Sequence, residues 1–461
     1  MVDDVYDVVV LGGGASGVPA AVRASQLGGR VALVEAGDLG GHCMNKACVP
    51  FGHMMVASEL IGNFSLGRDM GVEIPSFKLN YTALRKRQNS LISLMREGVR
   101  SLIAKRGIAL FKGRGKLAGM GKVMVNDETL QCKKIILATG AKWALPDFGG
   151  TELQGILTPE DLLQKEKLPE RAALFGRSPW LVEIAQFLHR VGKQTFLITP
   201  ERKILSNESR AINSRLTKSL KNEGLRIFVE GEISGIAPVK DGVRISFKSK
   251  GKDEHLIVDE ILGAKRVSSL EGIGLDSIGL EEKREYVNTN NKMETENEGV
   301  YAVGDLSAPE WRHYSHFASA GGIVAAENAM GRPKELQIKA NARILFTQPQ
   351  VGCVGLTSKE AKEAGYDVSV GSAPLSMNPL GMILSQTEGV VEVVADRKYG
   401  EILGVHILGA GASEIIGQAI LLMQMEFTLQ DLAAAPFPHP TLSESLAEAA
   451  REAMGQAIYI P

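Results

Sequence analysis

The sequence predicts an α/β fold with two dinucleotide-type βαβ units and a C-terminal α+β segment. Three observations carry that prediction. The chain opens on a short apolar strand, a glycine-rich turn and a helix, VVVLGGGASG at 8–17. A second strand–helix–strand pattern starts at Arg171. After about Leu336 the texture changes to alternating stretches, GVVEVVAD at 389–396 and EILGVHILG at 401–409.

The first unit runs from Asp7–Leu11 through the helical stretch VPAAVRASQLG to a second strand, RVALVE, that ends at Glu35. The run of adjacent apolar residues is that of a strand buried on both faces. Pro19 lies near the first helical turn, where a missing N–H costs little. An amphipathic helix is expected over 80–106. Short strands and turns follow and end in KKIILATG at 133–140. The second unit reads RAALFG as strand, SPWLVEIAQFLHRVG as helix and KQTFLIT as strand. GVYAVGD at 299–305 is a further strand running into a polar turn. Alternation with period two after Leu336 is the mark of an antiparallel sheet, and a last helix is expected in SESLAEAAREAMGQ.

At 461 residues the chain is too long for one hydrophobic core, so two to four domains are expected. The boundaries drawn are 1–150, 151–270, 271–335 and 336–461. Apolar residues make up 44% and charged residues 23%, and the formal net charge is -1. That balance argues against nucleic acid or an anionic membrane as the main partner. No apolar run is long enough to span a bilayer. The acidic start, MVDDVYD, makes a poor signal peptide, so the expected location is cytoplasmic. Four cysteines are too few for a disulfide scaffold, and only two of them lie close together.

Gly12, Gly14 and Gly17 form G-x-G-x-x-G between strand and helix. The first glycine allows the tight turn, the second the approach of a pyrophosphate, and the third close helix–strand packing. The helix N-terminus then offers free N–H groups to phosphates. Glu35 closes the next strand, where a carboxylate can bind ribose hydroxyls. This is a Rossmann-like nucleotide site, and the motif alone does not separate FAD from NAD.

Cys43 and Cys48 follow in GGHCMNKACVP. In a regular helix five residues rise about 7.5 Å and turn about 500°. That places the two Cα atoms at or beyond the limit for a disulfide, so a bond requires a distorted first helical turn. On spacing alone, two buried free cysteines remain an equal alternative. His439 precedes Glu444 by five residues in HPTLSE, and a carboxylate can orient an imidazole as a general base. Without context these two are a surface histidine with a nearby glutamate. Cys132 and Cys353 read as packing residues. No metal site is expected.

Taken together the motifs resemble the pyridine nucleotide–disulfide oxidoreductase family, its dihydrolipoamide dehydrogenases above all. The resemblance rests on VVVLGGGASG, C-x-x-x-x-C with Val-Pro after it, LATGA at 137–141, VYAVGD at 300–305, VGLTSKEAKEAGYDV at 354–368 and HPTLSE, in that order over nearly the whole chain. It implies that Gly12, Gly14, Gly17 and Glu35 bind the ADP part of FAD. Gly115, Thr139 and Gly140 would lie near the cofactor, and Asp305 would hold its ribityl and phosphate portion. Cys43 would exchange with a dithiol or disulfide substrate, a lipoyl group above all, and Cys48 would serve the flavin. The first two segments become FAD- and NAD-binding-like domains, the third completes the FAD site, and the fourth is a dimerisation domain. In a homodimer His439 and Glu444 would serve the cysteine pair of the other subunit.

The departures from the family pattern cluster around the nicotinamide. The second glycine motif reads Gly176-Arg177-Ser178-Pro179-Trp180-Leu181, so only its first glycine is kept. The next strand ends in Ile198-Thr199 without an acid, although Glu201 is close. The Gly-Arg-x-Pro-Asn stretch is represented by Lys265-Arg266-Val267-Ser268-Ser269, which keeps only the arginine. His42 replaces the usual threonine before the first cysteine. Phe51-Gly52 replaces Ser-Lys, so Glu183 loses the lysine that normally pairs with it. The expectation is that His42 or His53 compensates for that loss, or that Glu183 is partly protonated. NAD(P) use is therefore expected to be impaired or absent, with a protein or another small carrier as electron partner. The alternatives are an NAD(P)H-dependent reductase of a small disulfide and a flavin-binding subunit without turnover. Mercuric reductases and cysteine-tailed thioredoxin reductases are disfavoured, the sequence closing on GQAIYIP.

Overall fold

The computed structural model describes residues 5–146, 156–281, 284–386 and 388–461. The expected boundary at 150/151 lies outside the described residues. The first sheet is built on β1 (Tyr6–Leu11). After α1 (Gly17–Gln26) the chain returns as β2 (Val31–Glu35), parallel to β1 with Val9 opposite Ala32. α2 (Gly41–Lys46), α3 (Cys48–Asp69) and α4 (Tyr81–Lys105) follow. The Asn80 side chain caps α4 by accepting from the Ala83 N–H, so the amphipathic stretch starts where its capping residue stands.

β3 (Ala109–Lys112) joins the parallel edge beside β2. β4 (Gly115–Leu117), β5 (Lys122–Val125) and β6 (Glu128–Leu137) form an antiparallel meander. The ten-residue β6 then continues into the parallel sheet beside β1. Val9 and Leu11 pack with Val34, Leu117, Val123 and Leu137 on one face. Val8 and Val10 pack with Ala20, Leu33, Ile136 and Val324 on the other. Both faces of the strand are covered, which is why its sequence does not alternate.

β7 (Ala141–Ala144) leaves the first sheet. β8 (Ile156–Leu157) and α5 (Pro159–Gln164) lead into the second βαβ unit, with Thr158 and Asp161 forming a capping box. That unit is β9 (Arg171–Phe175), α6 (Trp180–Arg190) and β10 (Gln194–Ile198). α7 (Arg210–Asn222) and β11 (Arg226–Phe228) extend it. An antiparallel layer, β12 (Gly231–Val239), β13 (Gly242–Ser249) and β14 (Lys252–Val258), covers one face through Ile245, Phe247 and Val258. β15 (Glu260–Gly263) completes a parallel sheet of order β11-β10-β9-β15-β8.

β16 (Lys265–Ser268) pairs antiparallel with β7, setting Arg266 opposite Trp143. β17 (Val300–Ala302) then returns to the first sheet beside β6. α8 (Ser315–Ala329) lies against α1, where Gly322 meets the Ser16 carbonyl: a Cβ there would stand 2.2 Å from that oxygen. The C-terminal part is an antiparallel sheet of β18 (Ala342–Leu345), β19 (Gln350–Gly355), β20 (Val368–Pro374), β21 (Val390–Asp396) and β22 (Ile402–Gly409), in the order β18-β19-β22-β21-β20. The helix Glu444–Ala453 packs on it through Leu446, Ala449 and Ala450.

The second unit and the C-terminal sheet are joined by a buried ion pair. The Arg343 guanidinium donates to both oxygens of Glu208, at 2.6 and 3.0 Å, with the two side chains only 14% and 6% exposed. Cys353 and His406 are fully buried beside them, and the ligand atoms of Glu208, Cys353 and His406 lie within 4.8 Å of one another. Arg343 supplies the cation of this cluster. No helix among the described residues is long and apolar enough to cross a membrane.

Candidate active site

A cavity of about 1280 Å³ lies where the three parts meet. One end is the glycine-rich turn. Gly12 has φ +109°, and a Cβ on it would stand 2.3 Å from the Ala138 carbonyl oxygen. A Cβ on Gly17 would stand 1.7 Å from the Gly12 carbonyl oxygen, so this glycine sets the close approach of α1 to β1. Gly12, Gly14 and Glu35 line the cavity; Gly17 acts through packing behind it. The Glu35 carboxylate accepts the N–H groups of Gly13 and Gly37, both at 2.6 Å. Gly115, Thr139, Gly140 and Asp305 line the same wall. A Cβ on Gly115 would stand 2.3 Å from Leu11 Cδ2. Asp305 accepts from Arg266 Nη2 at 2.7 Å. A bare glycine turn, a helix N-terminus and a fixed carboxylate at the end of the second strand fit the ADP portion of FAD.

The cysteine pair lies in the wall of this cavity. The chain does not run as one regular helix between the two residues. Ala47, at φ −140° and ψ −96°, ends α2 after Lys46 and lets α3 start at Cys48. The break supplies the distortion that the spacing requires. Both cysteines are free thiols, joined by a hydrogen bond, and Cys48 Sγ lies 3.3 Å from the Ser315 hydroxyl. That bond splits the pair. Hydrogen bonding from Cys48 brings the Cys43 thiol down to about 7, whereas hydrogen bonding with Cys43 and burial push Cys48 well up. Of the two thiols, Cys43 is the one that ionises more readily near neutral pH. Alkylation of the reduced protein by iodoacetamide is expected to fall first on Cys43, with a rate that rises through about pH 7. A rate still climbing steeply above pH 8.5 would contradict this assignment. Ser315 was not legible in the sequence, because it reaches Cys48 from a helix 267 residues further on.

The glycine-poor turn of the second unit is bulkier than that of the first. Leu181, fully buried, stands in the second unit where Gly17 stands in the first, and its Cδ1 lies 3.0 Å from where a Cβ on Gly176 would be. Pro179 is the N-cap of α6 and gives no capping hydrogen bond. Glu201 accepts from Arg177 at 2.5 Å. The departures at 42, 51 and 180 come together in space, beside the retained Arg266. The His42 ring is 5.6 Å from Trp143, Trp143 is 6.1 Å from Trp180, and Trp180 is 5.8 Å from Phe51. The Arg266 guanidinium lies 4.9 Å over Trp143. Neither Trp143 nor its pairing with Arg266 was readable from the motif, since the two are brought together only by the β7–β16 ladder.

Glu183 is buried, and its Oε1 accepts the Phe346 N–H at 2.7 Å. The expected compensation by histidine is not found. Burial brings His42 down to about 3 and also lowers His53, so both are neutral, and neither bonds to Glu183 among the described contacts. Burial instead raises the Glu183 carboxyl to about 7, in line with partial protonation. Cys132 and Cys353 are buried, and Cys132 is pushed up to about 12. His439 Nδ1 is 3.0 Å from Glu444 Oε1, and Glu444 Oε2 accepts the Thr441 N–H. This dyad is formed, but it is exposed and does not line the cavity that holds the cysteines of its own chain.

The profile of the pyridine nucleotide-disulphide oxidoreductases matches residues 6–331, and that of their dimerisation domain matches residues 341–450. Dihydrolipoyl dehydrogenase from Thermus scotoductus is 34% identical, over 99% of this chain and 99% of its own length. The Bacillus subtilis dihydrolipoyl dehydrogenase is 30% identical, over 98% and 99%. A mercuric reductase from Lysinibacillus sphaericus is 29% identical, over 97% of this chain and 82% of its own. The crystal structure of LpdA from Mycobacterium tuberculosis superposes with a TM-score of 0.87 at 21% identity, over 96% of this chain and 98% of that one.

Proposed function

Since the chain belongs to the pyridine nucleotide-disulphide oxidoreductase family, we propose that it is an FAD-dependent dithiol–disulfide oxidoreductase of the dihydrolipoyl dehydrogenase type that makes poor use of NAD(P)H. The observation that carries this reading is the cysteine pair in the cavity wall, with a low thiol at Cys43 and a high one at Cys48. In the oxidised pair a substrate thiolate attacks Cys43 Sγ. The new bond joins substrate sulfur to Cys43, and Cys48 leaves as thiolate. The second substrate thiol gives its proton to His439 of a second subunit and attacks the substrate sulfur of the mixed disulfide. Cys43 leaves, and the substrate departs as a disulfide. Glu444 holds His439 through Nδ1, leaving Nε2 to receive the proton. FAD, when bound, supplies the two-electron acceptor that restores the cysteine disulfide. Gly12, Gly14, Glu35, Gly115, Thr139, Gly140 and Asp305 would hold it, with Gly17 setting the turn.

The nicotinamide part of the proposal rests on Leu181 and on the ring wall of His42, Trp143 and Trp180. Filling the third-glycine position removes the close packing of helix on strand that a pyrophosphate turn needs. An anaerobic titration of the yellow protein with dihydrolipoamide, NADH and NADPH tests both parts. Dihydrolipoamide is expected to bleach the flavin, and both nicotinamides to do so on the order of 10²-fold more slowly. Rapid bleaching by NADH would leave an ordinary NADH-linked disulfide reductase with an unusual turn. No bleaching by any dithiol would remove the dithiol half.

A further inference from the structure

Most of the charges that line the redox cavity are offset, Glu35 by two backbone N–H groups and Glu310 by the Arg266 N–H and the nearby charges of Arg266, Lys265 and Arg177. Arg266 is paired with Asp305, Arg343 with Glu208, and Lys46 with Glu160. Glu183 is only 5% exposed and lines the same cavity, yet it has no cationic partner among the described residues. Its one hydrogen bond, from the Phe346 N–H, engages Oε1 and leaves Oε2 without a donor. Gly52 also lines the cavity, and a Cβ built on it meets nothing within 4 Å. The space where a cationic side chain would stand is open.

We propose that Glu183 is the charge-compensating acid of this redox centre, taking one proton from solvent when an electron pair enters the cavity and returning it when the pair leaves. The proposal rests on the flavin reading above. Negative charge placed in a poorly solvated cavity is costly unless a counter-charge or a proton arrives with it. Glu183 is the acid there whose ionised form has nothing to offset it. The groups on the surrounding elements do not serve. On α3, His53 is held neutral by burial and by Arg87, and Cys48 is a thiol pushed up by its hydrogen bond with Cys43 and by burial. Tyr314 is likewise pushed up by burial. On β18, Arg343 is taken by Glu208, and on α6 itself Arg190 is taken by Glu223. Burial, opposed by the Phe346 N–H, brings Glu183 to about 7, where a nearby added charge decides whether the proton is bound.

The test is the pH dependence of the flavin midpoint in the flavin-loaded protein, reduced through chemical mediators so that the cysteines are not needed as the route. Above about pH 7 the wild type should take up one more proton per electron pair than Glu183→Gln. The reduction equilibrium would then change an extra tenfold per pH unit, about 30 mV for a two-electron couple. A carboxylic acid C=O band should appear in the infrared on reduction at pH 8 and be missing in Glu183→Gln. Gly52→Lys, which places an ammonium in the open space, should remove the extra proton while keeping the carboxyl. Equal pH slopes in wild type and Glu183→Gln, or no carboxyl band, would overturn the proposal. If Glu183→Gln does not fold, the infrared band of the wild type and the slope of Gly52→Lys decide. Failure of the dithiol to bleach the flavin would count against the reading above and leave this result standing.

Discussion

Replacing Cys48 by alanine is expected to lower dihydrolipoamide-driven flavin reduction by a factor on the order of 10³ or more, because the disulfide that receives the substrate thiolate is no longer possible. A second change sets this loss apart from a general defect. The hydrogen bond from Cys48 is the main cause of the low Cys43 thiol. In Cys48→Ala, alkylation of Cys43 should therefore move to higher pH, toward the ordinary thiol range. Cys43→Ser should lose the same reduction and also the rapid alkylation at pH 7. Both variants should stay yellow, because the glycine turn, Glu35 and Asp305 are untouched. A Cys43→Ser protein indistinguishable from wild type in every assay would favour the alternative of a flavin-binding subunit without turnover.

The second large effect is on stability. Arg343→Met leaves the Glu208 carboxylate buried without its partner, which costs roughly 3–5 kcal/mol. The loss should show as a fall of about 10 °C in the melting temperature of the C-terminal part that holds β18. Arg343→Met combined with Glu208→Leu should recover much of it, since no unpaired charge is left. Glu208→Leu alone strands the guanidinium and should resemble Arg343→Met. A drop below about 1 kcal/mol for Arg343→Met would mean that water reaches Glu208, against the exposure seen here.

The elements legible in the sequence were those whose signal is local. The first βαβ unit, the capped helix that starts after Asn80, the second strand–helix–strand and the alternating C-terminal strands all declare themselves within about twenty residues. The three glycines could be assigned separate tasks because their spacing between strand and helix is itself the signal, although Gly12 meets Ala138 from a distant part of the chain. What stayed hidden depends on distant pairing. Nothing near Trp143 announces that Arg266 lies opposite it, because their ladder joins segments more than a hundred residues apart. The helix break at Ala47 was needed for the cysteine pair, and its one local sign is Pro50, which has no N–H to give the Lys46 carbonyl four residues back. The compensation expected from His42 or His53 failed for a physical reason. A buried imidazole next to Arg266 or Arg87 loses its proton, so it cannot supply the missing charge. The Glu208–Arg343 pair had no signal either, since arginine and glutamate at 135 residues' separation are unremarkable in any sequence.

The cavity draws its walls from the first sheet, from α6 and from β18. A molecule that fills it touches all three at once, so its binding energy adds to that of the buried core that already joins α3, the second unit and the C-terminal sheet. By mass action, occupancy at a thousand times the dissociation constant raises the unfolding free energy by roughly 4 kcal/mol. The melting temperature thus becomes a concentration-dependent gauge of how full the cavity is.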